Sequence, residues 1–226
     1  MMLLAALSIV INNFCFFYGV RATGVAIGSV ATIGSAPIWA GLLNLVFKGN
    51  IPSLKWWIGV LGATSGVLWV ALEQASTWYL DLTGLMSCIL AGLGYALFTQ
   101  VTGTLVNKIS VPTTTVVVFS MAFVLATIFS FMISPVPAVV TCTDWMVFIY
   151  LGFFATGVAF FLYSKALTQI EASTGVALTL LDPFTSFLLA VFALHEPLNL
   201  TAFFGLGLIL LGLGFVMNSA LSPKEK

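Results

Sequence analysis

The sequence predicts an all-α integral membrane protein: one membrane domain of eight transmembrane helices drawn from an inverted-repeat bundle. Three observations predict it. The chain is 61% hydrophobic and 6% charged, against roughly 25% charged in a soluble domain, and its mean hydropathy is +1.16. No soluble fold of 226 residues hides so much apolar surface, so lipid must solvate it. The apolar runs are about 20 residues long and lack period-2 alternation, which suits helices crossing a core of roughly 30 Å. Backbone groups in lipid must be satisfied within the segment, and a helix does that. Finally, the chain carries a faint copy of itself displaced by 146 positions: Phe17–Trp69 slides onto Tyr163–Phe215, Pro37 onto Pro183, Gly59 onto Gly205 and Gly66 onto Gly212. Pro and Gly matching in register with flanking apolar spans mark a duplicated unit.

Charge, Pro and Gly punctuate the spans. The first, about Leu3–Val20, ends at Arg21. It lacks a basic n-region and a small-residue cleavage site, so it reads as a membrane helix rather than a leader. The second, about Val25–Phe47, ends at Lys48-Gly49-Asn50-Ile51-Pro52, and the third, about Trp56–Leu72, at Glu73-Gln74. The fourth and fifth run over about Leu80–Val106 and Val111–Ser134. Pro135–Asp144 is the longest connection. The sixth, seventh and eighth cover about Trp145–Leu167, Ala172–Leu194 and Leu200–Met217, followed by a polar tail, Ser222–Lys226.

Lysine and arginine set the orientation. One side holds Lys48, Lys55, Lys108, Lys165, Lys224 and Lys226, the other only Arg21, so both termini are expected in the cytoplasm, with the protein in a plasma membrane or bacterial inner membrane. Glu73, Asp81, Asp144 and Glu196 fall on the opposite side. Spans one to three match spans six to eight, a shift of five. An odd shift makes the copies cross the membrane in opposite directions, an inverted repeat about an axis in the membrane plane. Residues 1–75 then form a three-helix, incomplete first repeat and residues 80–217 a five-helix second one. The layout is 3+5 where a full duplication gives 5+5.

Asp182 is the sharpest candidate for chemistry: an acidic side chain near the middle of the seventh span, just before Pro183. An Asp at a helix centre costs about 2.5–3.5 kcal/mol on insertion scales, and such residues face a wet cavity or a partner. Proline removes a backbone donor and disfavours α geometry before it, so Pro37 and Pro183 are expected helix breaks. Gly175, Thr179, Asp182 and Ser186 form one polar stripe; Gly28, Thr32, Ser35 and Trp39 form its counterpart on the second span. The fourth span carries Cys88, Gly92, Tyr95, Thr99 and Thr102; Asn12 and Asn13 lie in the first span and Tyr163 in the sixth. Such groups without basic partners suit a neutral, zwitterionic or amphipathic solute, although small and hydroxyl residues also bind membrane helices to one another.

Gly24/Gly28, Gly62/Gly66, Gly205/Gly212 and Gly207/Gly214 mark close packing within the chain or a homodimer through Gly-rich helices. His195-Glu196-Pro197 ends the seventh span as a solvated turn or a pH-sensing pair. Lys165 is expected to snorkel, and the sequon Asn199-Leu200-Thr201 lies against the membrane. Cys15, Cys88 and Cys142 show neither metal-ligand nor disulfide spacing. Zero net charge gives no case for nucleic acid.

The block from Tyr163-Ser164-Lys165-Ala166 through Pro183 to Glu196-Pro197 and Gly205…Gly212 resembles the EamA family of the drug/metabolite transporter superfamily. Tyr18…Pro37…Gly59…Gly66 fits more loosely, with Gly49-Asn50 where an acidic residue is usual. The resemblance covers about Leu3–Met217. It implies ten helices in two inverted five-helix repeats around a central cavity, of which the first two have no counterpart here. It implies transport of small metabolites such as amino acids, amines or amphipathic drugs. By position it assigns Asn12, Trp39, Tyr95, Tyr163 and Asp182 to the cavity wall. The expected function is secondary transport, chiefly export, by alternating access with proton coupling. The alternative is a transport-inactive subunit that assembles with another chain. Neither a phosphate-binding loop nor HExxH occurs, and there is one histidine, so no cofactor, metal or enzymatic activity is expected.

Overall fold

The computed structural model describes residues 1–74, 81–133, 141–194 and 200–221. Five α-helices come first: α1 (Met2–Thr23), α2 (Val25–Lys48), α3 (Leu54–Gln74), α4 (Leu82–Val106) and α5 (Val111–Ile133). Two interrupted helices follow. α6 (residues 142–166) is α-helical over Cys142–Ile149, π-helical over Tyr150–Val158 and α-helical again over Ala159–Ala166. α7 (residues 172–194) is α-helical over Ala172–Leu178, tightens to a 3-10 turn at Thr179–Leu181 and resumes over Asp182–Leu194. α8 (Leu200–Leu221) completes the eight. α1, α2, α4, α5, α6 and α8 contain spans long and apolar enough to cross a bilayer, and α3 adds a shorter apolar run, Leu54–Val70. His195–Pro197, Asn199 and Ser222–Lys226 lie outside the described residues, as does most of Pro135–Asp144.

Local chemistry sets the ends. Gly24 adopts φ 87°, open to glycine without strain, and α1 passes into α2 through this one residue. Gly49 closes α2 in the left-handed conformation, φ 71°. Asp81 caps α4 by accepting from the Gly84 amide at 2.9 Å. Thr141 and Asp144 form a capping box at the start of α6.

Lipid tails are as apolar as the side chains, so close packing and interhelical hydrogen bonds drive association. α4 lies antiparallel to α1 and parallel to α2. Asn12 Nδ2 donates to the Ala91 carbonyl at 2.8 Å and Ser87 Oγ to that of Cys15 at 2.9 Å. Thr32 Oγ1 donates to the Cys88 carbonyl at 3.1 Å, and buried Gln100 donates to that of Ala40 at 3.1 Å. Glycine permits this approach: a Cβ on Gly94 would lie 2.9 Å from the Ser8 carbonyl oxygen, and one on Gly92 would lie 2.9 Å from that of Thr32.

α3 crosses α8 antiparallel, in the register of the repeat. A Cβ on Gly59 would stand 2.6 Å from the Gly212 carbonyl oxygen, and one on Gly66 would stand 2.5 Å from that of Gly205. The displacement of 146 exchanges these two contacts, Gly59 with Gly205 and Gly66 with Gly212. A pseudo-two-fold axis therefore passes through this crossing. α2 and α7, which carry Pro37 and Pro183, run in opposite directions, as an inverted repeat requires. Gly59, Gly66, Gly205 and Gly212 are thus used within the chain, whereas Gly207 and Gly214 have no atom within 4 Å of an added Cβ.

Candidate functional site

The site forms where α2, α4, α6 and α7 meet. Ala36, Ala40, Ala96 and Val176 are a buried floor of small side chains on which half-buried Trp39 and Tyr95 pack. Tyr163 comes in from α6: its ring lies 6.2 Å from that of Tyr95, and its hydroxyl is 3.3 Å from Thr99 Oγ1. The same hydroxyl would be 3.4 Å from a Cβ on Gly175. α4 and α6 thus join α7 through one phenol. Behind it Phe160 packs against Phe119 at a tilt of 51°, with ring centroids 4.9 Å apart, and makes an edge contact with Phe98 at 5.6 Å.

α7 brings the charge. Its 3-10 turn ends at Leu181 and the chain stays helical through Asp182, whose amide donates to the Thr179 carbonyl. Pro183, which has no amide hydrogen, follows just after this tightened turn. The Asp182 side chain is exposed and makes no hydrogen bond among the described residues, yet it stands within electrostatic range of Tyr95 and Tyr163. Ser186 lies one turn further on, also exposed; Thr179 turns back to donate to the Val176 carbonyl at 2.7 Å. α2 behaves differently. Pro37 is buried inside an unbroken helix, so only the second proline sits beside an interruption.

Trp39, Tyr95, Tyr163 and Asp182 are therefore brought together. Asn12 is engaged differently: its amide donates to the Ala91 carbonyl of α4, one turn before Tyr95. Sequence reading passed over Gln100, which clamps α4 to α2, and the pair Lys48–Glu171, with Nζ 3.4 Å from Oε1. A lone amide inside an apolar helix was the available signal for Gln100. The pair left none, since 123 residues separate its members. Gly152, Thr156 and Gly157 in the sixth span were the only hint of the π-helical stretch, a form often found at functional positions.

An inverted repeat of membrane helices, with an interrupted helix and polar groups gathered where the copies meet, defines a transporter-type bundle. The comparisons agree: residues 82–218 match the model of the EamA-like transporter family, and the chain belongs to that family. It is 33% identical over 223 residues, 99% of its length, to the "Uncharacterized transporter YwfM" of Bacillus subtilis (strain 168), covering 74% of that protein. It is 28% identical over 211 residues to the "Uncharacterized transporter YetK" of the same organism, covering 89% of this chain and 62% of the relative. A crystal structure superposes with a TM-score of 0.76 at 15% identity, covering 97% of this chain and 88% of that one, and so shares the fold.

Proposed function

We propose that this protein is a secondary transporter that exports small metabolites such as amino acids, amines or amphipathic drugs by alternating access, with Asp182 carrying the coupled proton. One observation supports this above the others: an exposed carboxylate at a helix interruption stands beside an aromatic wall of Trp39, Tyr95 and Tyr163. The carboxylate holds a proton or a substrate ammonium, and the rings receive the apolar body of the solute. Thr179 and Ser186 extend the polar stripe. Substrate and proton then compete for one group, which is the requirement for exchange.

The test is uptake into proteoliposomes of a panel of amino acids, amines and amphipathic cations, driven by an imposed pH gradient. The wild type accumulates at least one panel member in response to the gradient. Asp182→Asn inserts normally but loses that response. A pH dependence unchanged in Asp182→Asn removes the residue from the mechanism. A second reading is favoured by the open outer face of α6, where Ser164 is the only buried residue between Asp144 and Ala166. In it the chain is a subunit that completes its bundle with another membrane chain. Activity that appears only on co-expression with such a chain decides for it.

A further inference from the structure

α2 and α7 are equated by the repeat, so a symmetric bundle would treat their two meeting points alike. It does not. Where α2 ends and α7 begins, the helices are closed on each other. Ala36 and Ala40 pack on Val176, and Ile38 and Trp56 lie with Ala177. Beyond these layers Lys48 Nζ meets Glu171 Oε1 at 3.4 Å. The symmetry-related meeting point would join the start of α2 to the segment Asp182–Leu194. There Val30 and Ile33 lie with Leu181 and Phe184 on one apolar cluster, but among the described residues α2 makes far less contact with Asp182–Leu194 than with Ala172–Leu178. Val25, Asp182, Thr185 and Ser186 are exposed. The sequence carries the same asymmetry: the counterparts of Lys48 and Glu171 are Leu194 and Val25, which cannot form an ion pair.

Resting on the transporter reading, we propose that Lys48 and Glu171 are a latch. It holds the lysine-rich end of the site shut, and the bundle must break it to expose the site on that side. This structure is the latched state. The latch acts on a conformational equilibrium, and a pair exposed to this degree (38% for each side chain) biases it by no more than about five-fold. That suits a gate, since a tighter one would trap the carrier.

A reporter that needs no transport tests this. Ser173→Cys, buried beside the latch, is placed in a background with Cys15, Cys88 and Cys142 replaced by alanine. It is labelled by a membrane-impermeant maleimide in vesicles of each orientation. Lys48→Glu and Glu171→Lys each raise labelling from the lysine-rich side about two- to five-fold, and the exchange Lys48→Glu/Glu171→Lys returns it to the starting rate. High salt raises labelling with Lys48 and Glu171 intact, which needs no charge-reversal variant to fold. Labelling indifferent to salt and to both single reversals overturns the latch; so does an exchange variant that labels as fast as the singles. If labelling responds as expected but no panel solute is transported, the latch stands and the transporter reading falls.

Discussion

The two copies of the repeat share a plan but not an environment. In the first, α1 and α2 lie under α4, with Asn12 and Thr32 donating to its carbonyls and Gly92 and Gly94 admitting their backbones. In the second, no described helix stands to α6 and α7 as α4 stands to α1 and α2. Ala36 shows the consequence: 2% exposed, it lies beside Gly92, and its counterpart Asp182 is open. Whether a given position is core or site is thus decided by what packs over it, more than by the helix that bears it. The residues follow suit. Ser8 and Asn12, which touch α4, correspond to Phe154 and Val158 on α6, side chains suited to an apolar surround.

The largest effect that would break this comparison comes from filling the glycines. Gly92→Leu drives a side chain into the backbone of α2, and overpacking of that kind costs about 1–3 kcal/mol or more. It should lower the melting temperature and the monodisperse yield in detergent severalfold. Gly152→Leu on α6 meets nothing within 4 Å and should stay within about 0.5 kcal/mol of the parent. Similar losses for both would show that α6 is covered as closely as α1. Next is a pair of cysteines at equivalent positions. Asp182→Cys should react with a small water-soluble maleimide on the order of tenfold faster than Ala36→Cys, because only a thiol in contact with water forms the reactive thiolate. Equal rates would place residue 182 in lipid or under another helix and remove its claim to a wet site.

Smaller still is Asn12→Leu. Interhelical hydrogen bonds in membranes average about 0.6 kcal/mol, so the loss of the Ala91 contact should be just measurable by thermal denaturation. Val158→Leu, at the equivalent place on α6, should have no effect. A loss for Asn12→Leu well above 1 kcal/mol would mean that the α1–α4 contact is worth more than an ordinary interhelical hydrogen bond.

The layout was legible in the sequence because membrane folding leaves bold marks: apolar length, lysine bias, and glycines that repeat in register. The 146-residue displacement equates Gly59 with Gly205 and Gly66 with Gly212, but that these four meet where α3 crosses α8 is seen only in the structure. Trp39, Tyr95 and Asp182 could be nominated from polar stripes, and Tyr163 from its place in the sixth span. That the Asn12 amide is spent on the Ala91 carbonyl could not, because helical periodicity gives a residue's face and not its neighbour. The unequal prolines escaped for a similar reason. Pro37 is buried within an unbroken α2, whereas Pro183 follows the 3-10 turn of α7. The sequence around each reads alike; tertiary cover decides which helix yields. Lys48–Glu171 joins the two copies across the middle of the chain, so neither local pattern nor repeat could announce it.

The smallest expected effect concerns helix starts, where a covered helix (α4) and an open one (α6) should agree because a cap is local. Asp81 accepts from Thr83 Oγ1 at 2.6 Å and from the Gly84 amide at 2.9 Å at the head of α4. Thr141 and Asp144 serve the same role for the open α6. The Thr83 hydroxyl, then the Gly84 amide, hold the Asp81 carboxyl below its ordinary pKa of 3.8. A depressed carboxylate lends its support above the unfolded value and loses it as pH falls through the folded one. The first turn of α4 should therefore keep its cap at neutral pH and fray only below about pH 4. Asp81→Asn retains an uncharged cap, so its first turn should be insensitive to that acidification. Amide exchange at Thr83–Leu85, read at matched pH for the two proteins, checks this. If the two proteins respond alike to acidification, the first turn of α4 is held by packing against α1 rather than by its own cap.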